Sequence, residues 1–140
     1  MIRQDINLDG YWLATVFYLP MERDMQTVAD ALCRLGCPEE DIEKTWHYMT
    51  GEWNKGFTWS NPARRRSITI IGRAVSWSEF YNTVSHETRH IVDEIIAAYN
   101  IYNYGEPPAY TQGEIARQMA PVIRRFACPC CGLEKREVNL

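Results

Sequence analysis

The pattern His-Glu-x-x-His at positions 86 to 90 is the stretch of this chain best suited to metal chemistry. Residues four apart on a helix face the same way, with Cβ atoms about 5–6 Å apart. His86 and His90 would therefore direct two imidazole nitrogens at a single metal ion if the segment is helical. Glu87 would then lie beside the open position of that ion. Zinc lowers the pKa of a bound water to about 7, and a neighbouring glutamate can accept the proton.

The segment around this motif has the features of a long amphipathic helix. Ser76 and Glu79 form an S-x-x-E capping box with Ser76 as the N-cap, and Val75 and Phe80 match a hydrophobic staple. Asn100 is the predicted end of the helix. The competing interpretation is that two histidines fell four apart on a core helix, but the chain has only three histidines and two of them flank this glutamate. The residues predicted to form the buried face are Phe80, Val84, Ile91, Ile95 and Tyr99.

A catalytic zinc ion usually has three protein ligands, so a third ligand is expected outside the motif. Glu106 and Glu114 are the downstream candidates, near the start of a helix that could return antiparallel to the motif helix. Glu106 could instead be an acid that favours the helix N-terminus, and Glu114 could form a second capping box with Thr111. Asp93 and Glu94 are alternatives that are better suited to orienting a histidine ring or to lying in solvent.

The motif and the residues after it resemble the zincin class of zinc peptidases, in the group whose third ligand is a glutamate. More narrowly, they are similar to small metallopeptidases encoded by phages and prophages. In those proteins an H-E-x-x-H helix and a short loop precede the pattern E-x-x-A-Y-x-x-G-x-I. The resemblance covers roughly residues 75 to 120. The pattern falls here on Glu106, Ala109, Tyr110, Gly113 and Ile115.

The resemblance implies a zinc-dependent hydrolase that cleaves a peptide or protein substrate. Zinc would be bound by His86, His90 and Glu106, and Glu87 would be the general base. Tyr110 is the first candidate to stabilise the oxyanion that forms during hydrolysis. Weaker candidates for that role, all residues that commonly just pack, are Tyr99, Tyr102, Tyr104 and His47. This sequence departs from the pattern at Arg89, where many relatives are uncharged, and at Pro107 and Pro108, where an acid and a small residue are common.

The remaining patterns predict an α+β fold of the zincin type, with a small antiparallel sheet packed on the motif helix and further helices. We expect a polar N-terminal segment ending in an Asp9-Gly10 turn, and a last helix kinked or split at Pro121. That helix carries Ile115, Met119, Val122 and Phe126 at periodic spacing. The predicted elements before the motif are a strand at Tyr11–Tyr18, a helix at Asp24–Leu35, a helix from Pro38 to Gly51, and a hairpin of strands Phe57–Ser60 and Ser67–Gly72. In zincins an edge strand aligns the substrate, and by resemblance either hairpin strand could do so.

Length and composition favour one domain, residues 1–127, followed by a cysteine-containing tail, residues 128–140. The net charge of −3 gives no general attraction to nucleic acid. No leader pattern opens the sequence, and the apolar run from Tyr11 to Pro20 is too short to span a bilayer. We therefore expect a cytoplasmic protein without a membrane partner.

Two further clusters have alternative interpretations. Cys128, Cys130 and Cys131 resemble half of a zinc knuckle, and with Cys33 and Cys37 they could complete a second metal site or simply be free thiols. Residues 64–66 are three consecutive arginines that could contact phosphate or an acidic partner, or form a solvated turn. These clusters define one alternative to the peptidase, a zinc-knuckle protein that binds nucleic acid. A second alternative is a scaffold of a mobile element that keeps the zincin architecture without turnover.

Overall fold

The structure, a computed structural model, describes residues 1–51 and 55–127 as four strands and four α-helices with two short 3-10 turns. The strands are β1 (Ile2–Leu8), β2 (Trp12–Tyr18), β3 (Gly56–Asn61) and β4 (Arg66–Ile71). The helices are α1 (Met25–Leu35), α2 (Glu39–Gly51), α3 (Trp77–Tyr99) and α4 (Glu106–Ile123). The 3-10 turns are Glu22–Asp24 and Pro62–Arg64.

The four strands form one mixed sheet in the order β1-β2-β4-β3. The pairs β1–β2 and β3–β4 are antiparallel, which confirms the predicted hairpin, but β2 and β4 run parallel. The prediction of an antiparallel sheet is therefore wrong, although the α+β class is confirmed. The reason is the long connection between β2 and β4. It consists of α1, α2 and β3, and it returns the chain to the end of the sheet at which β2 begins. Such a crossover is what a parallel pair requires.

Strand β1 was not predicted, because polar residues dominate the segment. Only Ile6 and Leu8 are buried in it, and the exposed positions alternate with them toward the end of the strand. The predicted turn at Asp9-Gly10 is present, with φ of 47° and 77° at its two residues. Positive φ at both central residues is the geometry of a tight hairpin, so this turn joins β1 to β2.

The sheet separates two hydrophobic cores, because neighbouring residues of a strand point to opposite faces. One face packs on α3 and α4, and the other packs on α1 and α2. The first core includes Ile6, Trp12, Val16, Phe80, Ile91, Ile95, Ile115, Met119 and Phe126. The second includes Phe17, Met25, Val28, Leu32, Met49, Ile68 and Ile70. Helix α3 is therefore fixed along the sheet by a fully buried stripe of its own residues.

The predicted limits of α3 are confirmed by its caps. The Ser76 Oγ accepts a hydrogen bond from the Glu79 backbone N–H at 3.2 Å, and Asn100 ends the helix with φ of 52°. The staple is wrong, because Val75 is 71% exposed while Phe80 is fully buried. Tyr99 was also assigned wrongly to the buried face, since it is 39% exposed at the last turn of the helix.

Helix α4 begins at Glu106 and includes Pro121 near its C-terminal end. Helix α4 is continuous up to Ile123, so it is not split at Pro121, which lies two residues before its last residue; a kink there stays a prediction. Its buried residues include Ile115 and Met119, as predicted. The tail from residue 128 lies outside the described residues. In the part of the chain that the structure describes, no helix combines the length and the apolar character needed to cross a membrane.

The cap of α1 generates a stability prediction. Gly36 has φ of 95°, so Gly36→Ala should lower the free energy of unfolding by about 1–2 kcal/mol, because a Cβ is strained in this region. Gly113 is the matched control, since it lies inside α4 and an added Cβ would meet no atom within 4 Å. Gly113→Ala should raise stability by about 0.5–1 kcal/mol. Urea unfolding of both variants measures the difference, and equal effects would contradict it.

Candidate metal centre

The two histidines of the motif meet on the exposed side of α3. Their Nε2 atoms lie 3.0 Å apart, and their rings are nearly perpendicular, with 4.7 Å between centroids. Two nitrogens bound to one tetrahedral zinc ion, each about 2.0–2.1 Å from it, would be about 3.3 Å apart. His86 and His90 therefore have nearly the separation that a shared ion requires.

Glu87 completes this group. One ligand atom from each of His86, Glu87 and His90 lies within 4.8 Å of the other two, and no other such group of three occurs in residues 1–51 and 55–127. The histidines are exposed, whereas Glu87 is only 4% exposed. The group thus combines two accessible imidazoles with one buried carboxylate.

Strand β3 determines where that carboxylate lies. The Thr58 hydroxyl donates a hydrogen bond to Glu87 Oε2 at 2.7 Å. The Thr58 and Thr69 hydroxyl oxygens are 3.0 Å apart, and because Thr58 gives its proton to Glu87, the Thr69 hydroxyl must be the donor in this second bond. Glu87 Oε1 has no hydrogen-bonding partner among the described residues. One oxygen of a buried carboxylate is therefore left for a ligand or a water.

Gly56 makes room for Glu87. A Cβ at this position would lie 2.5 Å from Glu87 Cγ, closer than real Cβ contacts come. Neither Gly56 nor Thr58 was identified from the sequence as a site residue. The available signal was the alternation of small or hydroxyl residues with aromatic ones, Gly-Phe-Thr-Trp-Ser from position 56. This pattern indicates that one face of β3 packs closely on a neighbouring element.

A cleft of about 260 Å³ lies beside the group, between α3 and the start of β3. Among residues 1–51 and 55–127, strand β3 is at the edge of the sheet and pairs only with β4. Of the two hairpin strands considered as substrate guides, β3 is therefore the one whose outer edge has no partner strand in the described part of the chain. The residues that line the cleft are Lys55, Gly56, Asn82, Thr83, His86 and Glu87.

Glu106 and Tyr110 lie elsewhere. Both line a wide surface depression together with Asp9 and Tyr11, and Glu106 is not a member of the metal-ligand group. The cause is the packing of α4, which contacts α3 on the side of Thr88, where the Thr88 hydroxyl lies 3.6 Å from the Met119 sulfur. Thr88 and His86 are two residues apart and so face different sides of the helix. The structure thus brings together two predicted ligands and the predicted base, but not the third ligand or the oxyanion donor.

Two of the alternative acids, Glu114 and Asp93, are engaged with arginines. Both carboxylate oxygens of Glu114 accept hydrogen bonds from Arg117, at 2.6 and 2.8 Å, and Gln118 donates a third. These donors, Arg117 first, lower the pKa of Glu114 to about 2. Asp93 pairs with Arg89 at 2.8 Å on the exposed surface. Arg89 therefore points away from the buried side of α3, which explains how a charged residue fits inside the motif.

The other candidate oxyanion donors do not join the site. The Tyr99 hydroxyl donates to the Tyr11 carbonyl oxygen at 2.7 Å, and the rings of Tyr102 and Tyr104 contact each other. His47 lies on α2, and none of these four candidates lines the cleft.

Two of the five cysteines can be placed. Cys33 is exposed and Cys37 is buried, and burial raises the pKa of the Cys37 thiol to about 11, which disfavours the thiolate form that binds metals. Cys128, Cys130 and Cys131 lie outside the described residues, so the four-cysteine site stays a prediction.

Comparisons of the chain with protein-family models, with curated proteins and with solved structures found no match. The chemistry of the site therefore has to be argued from its own geometry. Two imidazoles that converge beside a buried carboxylate can hold a divalent ion. The same carboxylate, with one oxygen fixed and the other open, is suited to accept a proton.

The contact at Gly56 can be tested by adding a methyl group. Gly56→Ala should destabilise the fold by about 1–3 kcal/mol and displace Glu87, because the new Cβ would overlap its side chain. Gly51→Ala is the control, since a Cβ there meets no atom of the described residues within 4 Å. Thermal unfolding and a crystal structure of Gly56→Ala provide the measurements. An undisplaced Glu87 would show that the strand does not fix its position.

Proposed function

We propose that this protein is a zinc-dependent metallopeptidase. The observation that carries the proposal is the 3.0 Å separation of the His86 and His90 Nε2 atoms beside the buried carboxylate of Glu87. Imidazole nitrogens and carboxylate oxygens are the ligand set of catalytic zinc sites. Buried carboxylates are also a common source of general bases, because a protein can tune their proton affinity.

The roles of the three residues follow from their surroundings. A bound zinc ion would supply a Lewis acid that lowers the pKa of a coordinated water. His86 and His90 would bind the ion through Nε2. Glu87, held at Oε2 by Thr58, would accept the proton of the attacking water at Oε1 and deliver it to the leaving amine. The resemblance to zincin peptidases whose third ligand is a glutamate favours Glu106 as the third ligand, and we retain Glu106 as part of the proposal.

The shape of the site supports a peptide as substrate. The cleft at His86 opens beside the free edge of β3, and an extended chain can pair with such an edge through backbone hydrogen bonds. Pairing of this kind recognises the backbone and tolerates varied side chains. An extended peptide would thus be aligned beside the ion before its carbonyl is attacked.

A second function, a metal-binding scaffold without turnover, is favoured by one observation. Glu106 and Tyr110 lie in a different depression from the histidines, so the proposed third ligand and oxyanion donor are not assembled. The two proposals differ in a measurable way. Zinc bound at stoichiometric level without cleavage of any member of a diverse peptide library would support the scaffold.

Zinc binding can be tested with the three histidines of the chain. Loss of a residue that hydrogen-bonds a metal ligand lowers metal affinity by roughly 10–100-fold. His86→Ala and His90→Ala each remove a ligand itself, so we expect each variant to lower zinc affinity by more than this. His47→Ala is the matched control and should bind zinc normally, since His47 lies on α2 outside the ligand group. Isothermal titration calorimetry with Zn²⁺ measures all three variants. Normal zinc binding by the His86 and His90 variants would exclude this site.

Turnover can be tested separately at Glu87. Glu87→Gln should keep zinc binding but lower kcat by about 10²–10⁴-fold, because the amide cannot accept the proton. Glu106→Gln is assayed beside it, and weaker zinc binding in that variant would identify Glu106 as the third ligand. Digestion of a peptide library, read by mass spectrometry, measures cleavage. Undiminished cleavage by Glu87→Gln would contradict the proposed role of Glu87.

A further inference from the structure

The three consecutive arginines at positions 64 to 66 divide between the two faces of the sheet. Arg65 has φ of 54°, and its guanidinium stacks over the Tyr99 ring at 4.4 Å and donates to the Ala98 carbonyl oxygen, so it contacts α3. Arg64 instead donates to the Arg34 carbonyl oxygen at the end of α1, at 2.6 Å. Arg64 and Arg66 thus lie on the side of α1, away from the histidines.

Four arginines meet in one depression on that side. Arg64 and Arg66 are joined by Arg3 from β1 and Arg34 from α1, around a volume of about 260 Å³. No acidic residue is among the described residues that line it. The other lining residues are Thr15, Ala31, Leu35, Ser67 and Ile68.

Most of this positive charge is not neutralised. Arg3 is paired with Asp5 at 3.4 Å, and the Asp5 carboxylate also accepts a bond from the Thr15 hydroxyl. The guanidinium groups of Arg34 and Arg66 have no hydrogen-bonding or ion-pair partner within residues 1–51 and 55–127. Like charges held close together raise the free energy of the folded state, and a bound anion would remove this repulsion.

We propose that this depression binds a phosphate group, of the size of pyrophosphate or a phosphomonoester. Guanidinium groups match the oxygens of phosphate with paired hydrogen bonds, and several of them suit an anion of charge −2 or more better than a single carboxylate. Arg34 and Arg66 provide the free donors, and Arg64 has N–H groups left after its bond to Arg34. The sheet separates this site from His86 and His90, so it is independent of the proposed hydrolysis.

The test is calorimetric titration of the full chain with pyrophosphate. The double variant Arg34→Gln/Arg66→Gln should weaken binding by at least about tenfold, because two charged hydrogen-bond donors are lost. Its fold should be unchanged by circular dichroism, since neither side chain has a partner among the described residues. The control double variant Lys44→Gln/Arg117→Gln removes the same charge from two exposed ion pairs and should bind as the unaltered chain does.

Several outcomes would overturn the proposal. These are no binding of pyrophosphate, equal binding by the Arg34/Arg66 double variant, or equal weakening in the control variant. Loss of binding in His86→Ala would also overturn it, since pyrophosphate would then be bound through a metal ion at the other site.

Competition experiments identify the source of the phosphate. Displacement of pyrophosphate by a single-stranded oligonucleotide would support a phosphate of a nucleic-acid backbone. Failure of the oligonucleotide to displace it would support a small phosphorylated molecule. Binding of oligo-glutamate at these arginines in place of pyrophosphate would overturn the proposal in favour of an acidic peptide.

Discussion

The close approach of β3 to α3 is the constraint on which the candidate site depends. Removing a carboxylate from water costs several kcal/mol unless hydrogen bonds or an ion replace its hydration. Glu87 is buried, and the strand supplies one hydrogen bond through Thr58 at 2.7 Å. The second oxygen lacks a partner among the described residues, and Glu87 lines the cleft, where water, a metal ion or a substrate could contact it.

The same contact links the site to the whole sheet. Thr58 is held by Thr69 of β4, and β4 pairs with β2, whose residues belong to both hydrophobic cores. Helix α3 is in turn fixed by its own buried stripe, so the imidazoles project from a rigid element. A site built on helices and strands keeps its geometry better than one built on loops. The weakly connected parts are the loop between α3 and α4 and the first turn of α4, where Tyr102, Tyr104 and Tyr110 are exposed.

The caps of α3 were predicted correctly from the sequence, whereas the parallel strand pairing and the position of α4 were not. Ser76 and Asn100 specify the ends of α3 through their own backbone and side-chain chemistry, and the structure confirms both. The parallel pairing of β2 and β4 has no local signature, because each strand would have the same pattern of apolar residues in an antiparallel sheet. Strand β1 was missed because its polar residues hide the short alternation that ends at Ile6 and Leu8.

The placement of Glu106 could not be predicted for a related reason. Its position depends on which side of α3 is covered by α4, and the sequence shows only that both helices have apolar faces. Packing on the side of Thr88 moves the start of α4 away from the face that carries His86. Gly56 and Thr58 were missed because their role arises from a contact with a helix that begins sixteen residues after β3 ends.

The hydrogen bond from Thr58 to Glu87 bears on two roles that a carboxylate can have beside a metal ion. Ligation through Oε1 would leave the bond from Thr58 to Oε2 in place, whereas ligation through Oε2 would break it. Gly56 allows the side chain to lie where that bond is made, because a Cβ at this position would overlap Glu87. A base needs only one accessible oxygen and benefits from having the other fixed. The surroundings of Glu87 therefore suit the proton transfer that we propose, in which His86, His90 and a ligand from outside α3 would hold the zinc ion.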